Sequence, residues 1–82
     1  MDENISLGNY KTEIEAAQAY NIGAIILSGE DSELNDVPSP SLKTFKKVIK
    51  VLNKQGWSCT ATEMEIIEAL MINKLGMKSF LG

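Results

Sequence analysis

The sequence predicts a mainly α-helical domain, one short N-terminal strand followed by three helices, assembled as a dimer. Three observations carry this. Thr12/Glu15 and Thr60/Glu63 have the spacing at which a threonine and a glutamate each satisfy a free backbone N–H at a helix start. Gly29, Gly56 and Gly76 each follow a helix-permissive run and mark its end. The two prolines, Pro38 and Pro40, fall together in one linker rather than inside any of these runs. The predicted helices cover residues 13–28, 41–54 and 61–75.

Taken in order, Ile5 to Leu7 reads as a short strand closed by the turn pair Gly8-Asn9. A lone strand leaves backbone groups unpaired, so this one must pair with a second copy, pair with a partner, or not form. In the first helix Ala16, Ala17, Ala19 and Ala24 have the highest helix propensity available. They offer a smooth, shallow face suited to close packing, with Ala17 and Ala24 on it and Tyr20 as its large anchor. The segment from Gly29 to Pro40 is a loop rich in acids, including Glu30, Asp31, Glu33 and Asp36. It lacks the mid-loop glycine and terminal glutamate of a calcium loop, so no metal site is expected there.

Ser41 is the N-cap of the second helix. At 100° per residue Lys43, Lys46, Lys47, Lys50 and Lys54 share an arc of about 100°. Leu42, Phe45, Val48, Ile49 and Leu52 take the opposite side, which makes an amphipathic helix with an all-lysine outer face. Trp57 is placed to plug the junction between the second and third helices, and Cys59 to be a small buried residue. In the third helix Met64, Ile67, Met71 and Leu75 form one stripe, but Ile66, Leu70 and Ile72 put apolar side chains on other faces too. A helix apolar nearly all round is buried on more than one side. In so short a chain a second subunit is the natural cover, with Ile66, Leu70 and Ile72 as the partner-binding candidates.

The stretch GNYKTEIEAAQAYNIGAIILSGEDSELN resembles the second half of the DNA-binding domain of Apetala-type, or ethylene-response, transcription factors. The same domain occurs in phage and bacterial HNH homing endonucleases. The matching positions are Leu7, Gly8, Tyr10, Thr12, Glu15, Ala16, Ala17, Ala19, Tyr20, Ala24, Gly29, Leu34 and Asn35. The resemblance covers residues 5–38 and divides the single domain into a family-like part, 5–38, and a helical pair, 39–82. It implies a last sheet strand followed by the domain's helix, and an ancestry in DNA binding. The family reads DNA with arginines and tryptophans on a three-stranded sheet. Only the last strand has a counterpart here and the chain holds no arginine, so no DNA-contact residue carries over. In the family, the positions of Ile22 and Ile26 are typically charged and exposed. Here they are isoleucines one helical turn apart, and the second and third helices are their expected cover, with a partner molecule as the alternative.

Composition narrows the function further. Residues 1–34 carry a net charge of −6, residues 35–56 of +4 and residues 57–82 of −1, within a total of −3. The basic segment is therefore local, and reads either as a solvated face with self-complementary packing or as a surface for a polyanion. With no histidine, no arginine and one cysteine there is no obvious nucleophile–base pair, phosphate loop or zinc cluster. A non-enzymatic protein with no cofactor is expected, soluble and cytoplasmic, with no transmembrane segment. Two functions remain open. One is a homodimeric DNA-binding-type regulator of phage or mobile-element origin, using the five lysines. The other is a protein-binding module or inhibitor, with Glu30, Asp31 and Glu33 presented to a basic target.

Overall fold

The computed structural model describes residues 10–80 as three α-helices. They are α1 (Glu13–Ser28), α2 (Leu42–Lys54) and α3 (Ala61–Leu75), with one 3₁₀ turn at Gly29–Asp31 after α1. The expected strand at residues 5–7 lies outside the described residues, and no strand occurs among the described ones.

Each helix starts where its capping residue dictates. Thr12, Ser41 and Thr60 each accept, through the side-chain hydroxyl, the backbone N–H three residues on, at 3.0, 3.2 and 3.1 Å. At Thr60 the box is reciprocal, because the Glu63 carboxylate accepts the Thr60 N–H at 2.8 Å. At Thr12 it is shifted by one residue: the Glu15 carboxylate accepts the N–H of Lys11, at 3.2 Å.

The helix ends differ from one another. Gly76 adopts the left-handed conformation (φ 70°, ψ 20°), its N–H bonds back to Ile72, and Met77 turns into the core. Gly29 has a positive φ but an extended ψ of −136°, which turns the chain into the 3₁₀ turn. The Ser32 hydroxyl then lies 2.9 Å from the Ala24 carbonyl and 2.6 Å from that of Gly29, tying the turn back onto the end of α1. We expect Gly76→Ala to cost about 1–2 kcal/mol, the penalty for an L-residue held in this region. An added methyl would also lie 3.0 Å from the Ser39 hydroxyl oxygen. An unchanged urea midpoint would show that the turn relaxes at no cost.

α1 is the centre of the molecule. Both α2 and α3 pack on it, and they do not pack closely on one another. Ala19, Ile22 and Ile25 of α1 meet Phe45, Val48 and Leu52 of α2 and Ile67 and Met71 of α3 in one buried cluster. Ile22, expected to be covered by the other two helices, is fully buried there, and Ile26 packs at the edge.

Of the alanines expected to form a packed face, Ala19 is fully buried in the cluster but the others are not. Ala16 is exposed, Ala17 and Ala24 are half-buried, and Tyr20 is 54% exposed instead of anchoring a packed face. The reason is area: turning Ile22 and Ile25 inward removes more apolar surface from water than turning three alanines inward. Trp57 is also displaced from its expected place. It is half-buried beside Ile25 and Ile26 of α1 and Ile66 and Ile67 of α3, so it closes the α1–α3 side.

Two buried amides on α1 hold the loop that follows. The Asn21 side chain accepts the Asn35 N–H at 2.8 Å and donates to the Asn35 carbonyl at 3.1 Å, as a neighbouring strand would. Gln18 donates to the Pro38 carbonyl at 2.9 Å. The Ser39 hydroxyl donates to the Leu75 carbonyl, tying the same loop to the end of α3. Asn21→Ala removes both bonds to the Asn35 backbone and a longer one from its side chain, and we expect a loss of about 1–2 kcal/mol. A melting temperature within a degree of the parent would mean water replaces the amide fully.

Candidate functional site

Lys43, Lys46, Lys47, Lys50 and Lys54 are all exposed, and α2 places them on one side, opposite the buried Phe45, Val48 and Leu52. Unlike α1 and α3, α2 has no acid in its first turn, so the partial positive charge of its N-terminus adds to that of Lys43. One edge of the face is held in place: the Lys47 ammonium sits 4.3 Å from the centre of the Tyr10 ring. Burial, and then the nearby Glu15 carboxylate, push the Tyr10 phenol above its usual value of 10.0. The ring beneath Lys47 therefore stays neutral at physiological pH. Sequence reasoning missed this contact, since nothing local links an aromatic ahead of α1 to a lysine on α2.

The other edge of the lysine face borders an apolar groove of about 350 Å³ between α2 and α3. Leu42, Phe45 and Ile49 line it from α2, Met64 from α3 and Phe80 from the C-terminal segment, with Lys46 and Lys50 at its rim. Phe45 and Phe80 stack with ring centres 4.6 Å apart and planes inclined at 45°. Leu42, expected on the buried side, is 40% exposed at the mouth of this groove.

The remaining candidates do not form one surface. Ile66 is 57% exposed and lines a recess with Leu70, Trp57 and Cys59. Leu70 and Ile72 are half-buried within their own chain, and helical geometry sets them about 160° apart. The third helix thus needs less outside cover than its composition implies, and Ile66 is its one strongly exposed isoleucine. Glu30, Asp31 and Glu33 are exposed on and just after the 3₁₀ turn, which Lys74 of α3 holds by donating to the Glu30 carbonyl at 3.0 Å. Cys59 is a half-buried free thiol rather than a fully buried one.

Among the described residues no three His, Cys, Asp or Glu side chains gather where they would hold a metal ion. Among those residues, too, no helix is long and apolar enough to cross a membrane. Compared with protein-family models, with curated proteins and with solved structures, the chain has no match.

Proposed function

We propose that this chain is a small non-enzymatic regulator that engages a polyanionic partner through the lysine face of α2 and acts as a homodimer. The observation that carries the reading is the face itself. Five lysines are exposed on one side of a helix anchored by its core contacts, in a chain whose net charge is −3.

DNA is the first polyanion this face suits. The resemblance of residues 5–38 to the Apetala-type domain supports it, and a two-fold dimer would set two α2 helices symmetrically on a palindromic site. Lysines without arginine favour the phosphates over base edges, so affinity would exceed specificity. The second reading is a protein-binding module. The groove beside the lysines favours it, because phosphate offers nothing apolar to fill Leu42, Ile49 and Phe80. In that reading the acidic turn remains available for a basic target. Ile66 and the recess around it are the proposed contact between copies.

Titration with duplex DNA at two salt concentrations tests the polyanion reading. If all five lysines engage, log affinity should fall with log salt at a slope of about −4 to −5. Lys43→Glu/Lys54→Glu should abolish that binding and leave the melting temperature unchanged. Binding that ignores both salt and these substitutions would remove the lysine face from the function. Sedimentation at micromolar concentration tests the dimer, and a monomer unaffected by Ile66→Lys would exclude it.

A further inference from the structure

The groove between α2 and α3 is built as a channel with charged edges. Leu42 and Ile49 form its α2 wall, and the stacked Phe45–Phe80 pair forms its floor. Leu42 and Phe80 also line a second recess of about 350 Å³ that contains the α2 N-cap Ser41 and Lys78. Cations therefore border the apolar channel: Lys46 and Lys50 along its α2 rim, and Lys78 in the recess at its Leu42 end. The wall made by the C-terminal segment is fixed by the chain itself. The Ser79 hydroxyl and the Phe80 N–H both donate to the Glu68 carboxylate, at 2.9 and 2.8 Å, and Met77 is buried. A groove held this way is preorganised, so an occupant loses little free energy in ordering it.

We propose that this channel receives an acidic amphipathic helical segment of a partner protein. The inference rests on α2 as the working face and names its partner class. From Leu42 to Asn53 the channel follows α2 for about 16 Å, which matches three turns of a partner helix. Apolar side chains at i, i+4 and i+7 of that helix fill the space between Ile49, Phe45 and Leu42. Its flanking carboxylates meet Lys46 and Lys50 on one side. At the Leu42 end they meet Lys78 and the positive N-terminal end of α2. Charge complementarity selects an acidic segment over a basic one, and the apolar floor selects a protein over a nucleic acid.

The test uses the full chain and two synthetic peptides of identical composition. One carries three leucines at helical spacing among glutamates, and the other has the same residues in scrambled order. Calorimetric titration should show the ordered peptide binding at least about tenfold tighter than the scrambled one, a difference of about 1.4 kcal/mol. Leu42→Glu should weaken the ordered peptide about tenfold or more and weaken DNA, held by five lysines, by clearly less. That variant should fold, because Leu42 is 40% exposed and opens a helix, where an acid is favoured. If both peptides bind equally and Leu42→Glu is silent, the groove fails while the lysine face stands. If neither peptide nor DNA binds and Lys43→Glu/Lys54→Glu changes nothing, both fall together. A homodimer that Leu42→Glu dissociates would assign the groove to a second copy and overturn the inference.

Discussion

Ala19→Asp is expected to abolish folding, while Ala17→Asp two residues away leaves a folded protein. Ala19 is 0% exposed, enclosed among Ile22, Val48 and the rest of the central cluster. An aspartate there must either bury an unpaired carboxylate or force α1 away from its neighbours. Burying such a group costs several kcal/mol, even after its pKa rises and it takes up a proton. A small domain has a total stability of only about 5–15 kcal/mol, and a chain this short falls toward the lower end. Ala17 lies on a flank of α1 and is only half-buried, so a carboxylate there reaches water. Circular dichroism should show a cooperative melt for Ala17→Asp and none for Ala19→Asp. Similar melts for both would mean that α1 is rotated from the orientation described.

The second large effect is expected at Phe45. It is 4% exposed and stacks on Phe80, so truncation to alanine removes a ring from the core and strands its partner. Such changes cost about 3–5 kcal/mol. Phe80→Ala, at a half-buried position, should cost clearly less. The double variant should fall short of the sum by about 0.5–1.5 kcal/mol, the direct coupling of an aromatic pair. Urea unfolding of the four proteins measures this, and strict additivity would mean that the rings do not interact.

The sequence marks where the helices begin and end because those signals are local. Thr60 and Glu63, or Ser41 and Thr44, are close enough in the chain to make their bonds before any tertiary structure exists. The lysine face is legible for the same reason, since α2 sorts its charged and apolar residues onto opposite sides. α1 gives no such instruction. Its apolar residues lie all round it, so its buried side is decided by what α2 and α3 bring to it, and the alanines mislead. The Asn21 clamp depends on where a loop residue 14 positions away comes to rest. The groove depends on Phe80 meeting Phe45 across the whole of α3. No window of sequence contains either pairing, and the groove is the part of the candidate site that a linear reading misses.

Because α2 and α3 each pack on α1 and not closely on each other, the molecule has one hub and two leaves. Either outer helix can lift while the other remains seated, but neither has a place to stay once α1 is lost. Opening is therefore graded in one direction only. Amide protons of α2 and α3 have routes to solvent through partial detachment, and those at the middle of α1 have only complete unfolding. A partner that lays itself across the α2–α3 groove would add to the Phe45–Phe80 bridge between the two leaves, closing those partial routes and turning a hinged assembly into a single cooperative one.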